Sequence, residues 1–234
     1  MKKATTARAS FNSNRKIAKL NSQSKVICLV SGGIDSPVAT WLMMRKGCFP
    51  VIVFFDNYPY ADETTKLRAM EAIKKLGEYI PEDKLKVYVV PHGDDLTNIL
   101  RNCPRNLTCV LCRRMMYRLA EKIALLEDAD AIVTGEIIGE HASQTLVNLR
   151  VETQAIRDVS ILRPLLGMNK REVEKLARKI RTFDTSTKPA SCCTGPPPKP
   201  RTRARLEEIK ETEKCLDIKR MINRDLEATI ILEI

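Results

Sequence analysis

Five short apolar runs restrict this chain more than any other feature: VICLVS (26–31), PVIVFFD (50–56), KVYVVPH (86–92), DAIVTGE (130–136) and ILRPLL (161–166). They are too brief for buried helices, and they do not alternate as strands with one wet face do. Stretches with helical spacing separate them: PVATWLMMRKG (37–47), TTKLRAMEAIKKLG (64–77), CVLCRRMMYRLAEKIALLED (109–128), HASQTLVNLRVE (141–152) and NKREVEKLARKI (169–180). Gly47 and Gly77 stand where helices end, and Asn169 stands where one is capped. Strands buried on both faces and alternating with helices form βαβ units, so the expected fold is α/β, a doubly wound parallel sheet covered on two sides. Ligands of such sheets bind beyond the carboxyl ends of the strands. Ser31, Phe55, Gly135 and the loop after residue 166 are therefore expected along one rim.

A chain of 234 residues can bury one substantial core, and 44% hydrophobic with 29% charged residues is ordinary for a soluble protein. No apolar stretch approaches the roughly 18–20 residues of a membrane span, and the N-terminus has no apolar segment of a secretory signal. The expected setting is the cytoplasm, with no membrane partner. The formal charge is +11, unevenly spread. Residues 1–20 carry Lys2, Lys3, Arg8, Arg15, Lys16 and Lys19 without an acid, and KPRTRAR holds Lys199, Arg201, Arg203 and Arg205. These clusters are either solvated basic surface or contacts to nucleic-acid phosphates. Five Phe and five Tyr make no evident stacking platform, so any RNA is expected to be held by backbone and shape.

Between the first strand and helix lies Ser31-Gly32-Gly33-Ile34-Asp35-Ser36. Glycines let backbone N–H groups approach phosphate oxygens, and the following helix adds its positive end. The loop reads as an anion cradle. It lacks the lysine and the spacing of the usual P-loop.

SGGIDS resembles the pyrophosphate-binding loop of the PP-loop ATP-pyrophosphatase superfamily, whose members cleave ATP between the α- and β-phosphates and adenylate an oxygen. SGGIDSPVATWLMMRKG, CVLCRRMMYRLAEKIA, TGEIIGEHASQTLVNLRVE, ILRPLLGMNKREVEKLARKI and the CCT loop follow the order and spacing of tRNA 4-thiouridine synthetases, the ThiI-like family. The resemblance covers roughly residues 24–205. It implies ATP-dependent adenylation of O4 of uridine 8 in tRNA, followed by displacement of AMP by sulfur. By resemblance, Leu29, Val30, Phe54 and Phe55 line the adenine site, while Ser31, Gly32, Gly33 and Ser36 hold the pyrophosphate. Asp35 acts through Mg²⁺ or by organising the loop; Arg113, Gly135 and Gln144 are further nucleotide contacts; Lys170 neutralises charge on the phosphates. The implied organisation is a basic arm (1–24), a PP-loop ATP-pyrophosphatase domain (25–182), and a catalytic-cysteine loop, basic helix and terminal strand of the same domain (183–234).

Sulfur needs a carrier, and the chain has eight cysteines. Cys193, in the SCCTG loop, matches the family's catalytic cysteine, with Cys192 beside it as the alternative. Cys109 and Cys112 form a C-x-x-C at a helix start, where thiolates are favoured and both sulfurs share a face. The pair is a feature of archaeal members of the family. With Cys193, or Cys192, they make three ligands for a [4Fe–4S] cluster whose open iron carries sulfide, or for a [3Fe–4S] form. Two other arrangements are open: a four-cysteine zinc site including Cys103, and a redox pair resolving a disulfide with Cys193. Cys28, Cys48 and Cys215 are read as structural or incidental.

Two features of the family are expected to be missing: the THUMP-containing RNA-binding region, for which residues 1–24 leave no room, and the C-terminal rhodanese domain. The implied partners are tRNA, sulfide or a sulfur-donor protein, a separate RNA-binding protein and a second copy of the chain. Two rival functions keep part of the chemistry. One is thiolation of a small molecule, as in thiamine or other sulfur-cofactor synthesis, and the other is a nucleotide-binding iron–sulfur sensor.

Overall fold

Val26 and Cys28 face one side of the sheet and Ile27 the other, yet none is more than 2% exposed. That is the structural meaning of an apolar run that does not alternate. The computed structural model describes residues 24–80, 84–141, 143–190 and 193–234. The basic arm expected over 1–24 therefore lies, apart from Ser24, outside the described residues.

Six strands form one sheet: β1 (Lys25–Leu29), β2 (Phe49–Asp56), β3 (Lys86–Pro91), β4 (Ala131–Val133), β5 (Ser160–Leu162) and β6 (Ile230–Glu233). Their order is β5-β4-β1-β2-β3-β6, parallel except for β6, which runs antiparallel beside β3. The fold is α/β, doubly wound and mostly parallel. The chain leaves β1 toward β2 and β3, then returns to place β4 on the other side of β1. The crevice between the ends of β1 and β4 is thus the point where the winding reverses, the usual ligand position in such sheets.

One face is covered by α1 (Asp35–Arg45), α2 (Glu63–Gly77) and α6 (Lys170–Lys179), through Val38, Trp41, Met44, Ile73 and Val173. The other is covered by α4 (Thr108–Leu126) and α9 (Ile218–Glu227), through Met115, Leu119, Ile123 and Met221. Asn169 caps α6 by accepting from the Glu172 N–H at 3.0 Å, and the Glu172 carboxylate accepts from the Asn169 N–H at 2.9 Å. Several expected elements are shorter than their patterns, β4 among them. β5 stops before Arg163-Pro164, since proline cannot donate to a ladder. Helix α5 (Leu146–Thr153) begins only where Thr145 caps it; α8 (Leu206–Glu213) follows Arg205. Two further helices lie outside the expected set: α3 (Gly93–Asn102), whose Leu96, Ile99 and Leu100 stand at helical spacing, and α7 (Phe183–Ser186), a single turn. No helix among the described residues is long and apolar enough to cross a membrane.

Candidate nucleotide and thiol site

The loop after β1 is braced from within and from both sides. The Ser31 N–H donates to Ser36 Oγ at 2.8 Å, the two hydroxyls lie 3.1 Å apart, and the Gly33 N–H donates to Ser31 Oγ at 3.3 Å. Arg68 of α2 donates to the Gly32 carbonyl from Nε (3.1 Å) and Nη2 (2.7 Å), while Ser186 Oγ donates to the Gly33 carbonyl at 3.3 Å. These contacts fix the peptide planes of a turn that must present its amides to an anion. A Cβ at Gly32 would meet the Thr65 carbonyl at 2.9 Å, so only glycine lets the loop lie this close to α2. Across the crevice, a Cβ at Gly135 would stand 2.7 Å from both N and Cα of Ser36. The segment after β4 is thereby in backbone contact with the start of α1.

Asp35 opens α1 and Lys170 opens α6. The Lys170 ammonium donates to both Asp35 oxygens, at 2.8 and 3.0 Å. An acid in the first helical turn also suits the helix dipole.

A cavity of about 550 Å³ lies over this crevice. Leu29, Val30, Ser31, Gly33, Asp35, Ser36, Phe54, Phe55, Arg113, Gly135 and Gln144 line it, as do Cys109, Cys112 and Cys193. Of the other residues singled out in the sequence, Gly32 and Lys170 adjoin the cavity through the contacts above, and Cys192 lies outside the described residues. Cys103 does not line the cavity; it lies in a small apolar cluster with Ile99 and Leu107, against which Cys112 also packs, and Cys215 is its electrostatic neighbour. Cys28 is fully buried in the core.

Two buried polar atoms of the cavity wall, Gln144 Oε1 and Asn57 Oδ1, have no hydrogen-bond partner among the described residues. Buried acceptors call for donors. The exocyclic amine of adenine is such a donor. Asn57, the residue after β2, carries no motif and is invisible to sequence reading.

Behind the cavity sits a charged cluster centred on Glu136. Arg113 Nη1 donates to Glu136 Oε1 at 2.9 Å, Tyr117 Oη to the same oxygen at 2.6 Å, and Thr134 Oγ1 to the other. Arg163 Nε lies 3.2 Å from Glu136 Oε2. Burial raises the Glu136 pKa, but Arg113, Thr134 and Tyr117 outweigh it, so the carboxyl stays below its ordinary value. Burial works against the Arg113 charge too, and Glu136 more than offsets it. Arg113 is thus a cation fixed at the cavity wall. Glu152, fully buried close by, has no hydrogen bond to either oxygen, and burial pushes it up to about 8.

Burial keeps the Cys109 and Cys112 thiols protonated, outweighing the thiolate expected of their place at a helix start. Cys109 is pushed up to about 11, mainly by burial, with Cys112 and Cys193 adding to the effect. Burial pushes Cys112 up to about 12 against the pull of Arg113. His92 Nε2 lies 3.2 Å from Cys112 Sγ, and its Nδ1 lies 3.1 Å from Asp95 Oδ2. Arg224 Nη2 donates to the other Asp95 oxygen at 2.5 Å. The ring of His92 meets Phe55 edge-on at 5.5 Å, so one buried histidine backs two residues of the cavity wall.

The sequence model of a family described as "Thiamine biosynthesis protein (ThiI)" matches residues 21–218. A "Probable tRNA sulfurtransferase" of Methanosarcina mazei is 40% identical over 215 residues, which cover 92% of this chain and 53% of the relative. A protein of the same description from Acetivibrio thermocellus is 41% identical over 217 residues, 92% of this chain and 55% of the relative. The chain spans about half the length of the curated relatives it matches. A crystal structure of a 4-thiouridine synthetase–RNA complex with bound ATP matches with a TM-score of 0.86 at 31% identity, over 90% of this chain and 55% of that one. The U34-tRNA thiolase NcsA from Methanococcus maripaludis, solved with its [4Fe–4S] cluster, shares the fold at 17% identity and a TM-score of 0.52, over 92% of this chain and 75% of that one.

Proposed function

The chain belongs to the ThiI family of tRNA sulfurtransferases, and on that footing we propose that it activates O4 of a tRNA uridine, uridine 8 foremost, with ATP and exchanges the oxygen for sulfur. The observation that carries this reading is the meeting of a braced Ser31–Ser36 anion loop and three thiols in one cavity. The solved relative with bound ATP and RNA supports it.

Two steps follow. In the first, the uridine O4 attacks the α-phosphorus of ATP, and the bond to the β-phosphate breaks to release pyrophosphate. Loop amides and the N-terminus of α1 hold the departing phosphates. Lys170 and Arg113, each anchored by a carboxylate, offset the charge that gathers there, and Mg²⁺ enters with ATP. Asp35 organises the loop, since Lys170 occupies both its oxygens. The adenine ring lies among Leu29, Val30, Phe54 and Phe55, with Gln144 and Asn57 accepting from its amine. In the second step a sulfur nucleophile adds to C4 and AMP leaves with the former uridine oxygen.

The cysteines fit a three-ligand cluster. Cys109, Cys112 and Cys193 share the cavity wall, whereas Cys103, the fourth ligand of a zinc site, does not line the cavity. When bound, a [4Fe–4S] cluster supplies an iron without a protein ligand that can carry sulfide from solution or from a donor protein. Bound protons must leave Cys109 and Cys112 for such ligation, and the His92 imidazole touches the second of them. Reduced thiols suit the cytoplasm, where we place the reaction.

The family's thiamine description favours one second reading, with a small-molecule acceptor in the same cavity. Two variants test the leading one. Asp35→Ala abolishes ATP-dependent AMP formation, whereas Cys193→Ala spares adenylation and stops thiolation of tRNA. Equal loss of both steps in both variants contradicts this division.

A further inference from the structure

A second concavity, about 1090 Å³ and open to solvent, lies beside the nucleotide cavity, although no described residue lines both. Pro200 lines the cavity and Arg201 the groove, and on the other segment Gln144 lines the cavity and Val147, three positions on, the groove. Exposed on the groove are Arg150 of α5 and Arg201, Arg203 and Arg205 of the segment that enters α8. Arg201 pairs with Glu208 at 2.8 Å. Arg150, Arg203 and Arg205 form no ion pair among the described residues, against one acid, Glu207, that lines the same groove without a partner there.

This arginine segment is pinned. Fully buried Asn148 donates from Nδ2 to the Arg201 carbonyl at 2.8 Å and accepts from the Ala204 N–H at 2.9 Å. Thr145 Oγ1 donates to the Thr202 carbonyl at 2.6 Å, and the Arg201 N–H donates to the Asn106 carbonyl at 2.9 Å. Ala204 packs inward at 2% exposure, which leaves Arg203 and Arg205 standing outward on either side. Holding unpaired cations in place costs entropy and mutual repulsion, which a polyanion would repay. The groove has no aromatic residue on which a base could stack. Its chemistry suits phosphates and not bases.

We propose that this groove receives the sugar–phosphate backbone of the substrate RNA beside the nucleotide whose base enters the cavity. The inference rests on the RNA substrate proposed above and adds the surface that presents it. Phosphate contacts fix register and orientation on such substrates, and the Pro200–Arg201 junction places the groove next to the nucleotide cavity.

The test uses the full chain, an unmodified tRNA transcript, and salt from 50 to 200 mM. The variant Arg150→Gln/Arg203→Gln/Arg205→Gln is expected to bind tRNA at least about tenfold more weakly at the low-salt end. The slope of log affinity against log salt should flatten by about 2–3, one count of roughly 0.7–0.9 for each lost phosphate contact. ATP affinity and thermal unfolding should stay at wild-type values. Glu207→Gln should shift tRNA affinity the other way. A triple variant with wild-type affinity and slope, in a protein that does bind tRNA, overturns the groove and leaves the tRNA substrate standing. Failure of the wild-type chain to bind tRNA while binding an acidic protein overturns both.

Discussion

Lys170 Nζ and the Asp35 carboxylate, 135 positions apart in sequence, meet at 2.8 and 3.0 Å and join the first residues of α6 and α1 at the edge of the phosphate loop. The pair is partly solvated, with side chains 35% and 19% exposed, so its contribution to stability is only about 0–1 kcal/mol. Its value must lie in the site. Lys170→Met should lower ATP-dependent AMP formation by about 10²–10³-fold, the usual loss when one fixed donor to a developing charge is removed. Thermal unfolding should move little. A variant with normal AMP formation would make Lys170 a solvated helix residue.

Glu152 makes stability depend on pH. Its carboxyl releases a proton near 4.5 when unfolded and near 8 when folded, because burial disfavours the charge. Between those values the folded state holds a proton that the unfolded state has lost, so stability falls as pH rises through this window. The penalty is small at pH 5 and complete above pH 8. Glu152→Gln should flatten the profile, and stability relative to wild type should improve on the order of 3 kcal/mol more at pH 8 than at pH 5, read by urea unfolding. Parallel profiles for the two proteins contradict the assignment.

The shared wall of Cys109, Cys112 and Cys193 predicts which thiols hold iron. After anaerobic reconstitution with iron and sulfide, alanine at any of the three should bring bound iron and acid-labile sulfide close to background. Cys103→Ala should retain both, since Cys103 does not line the cavity that the other three cysteines share. Zinc bound in place of iron, or iron lost with Cys103, would replace the three-thiol site with a four-cysteine one.

The parallel sheet and its rim were legible because five apolar runs with helices between them leave few alternatives, and because the SGGIDS loop falls where a strand meets a helix. The antiparallel seat of β6 beside β3 was not, since pairing direction has no local signature. The residues behind the site were also hidden. His92 reads as a lone histidine after a strand, 20 positions from the Cys112 it touches. Glu136 and Glu152 look like ordinary surface acids until burial and three arginines surround them. Arg68 gains meaning only when α2 packs over the loop and its guanidinium finds the Gly32 carbonyl. Motifs mark the groups that face a ligand; the groups that hold those in place are set by packing.

The most direct measurement is thiolation itself. The full chain, freed of oxygen, is incubated with ATP–Mg²⁺, sulfide and an unmodified tRNA transcript, and the RNA is run on a mercury-containing gel that retards thiolated species. A retarded band that requires ATP and disappears in Cys193→Ala is the expected result. ATP binding and iron incorporation without any retarded band would contradict tRNA thiolation by this chain and favour the small-molecule acceptor.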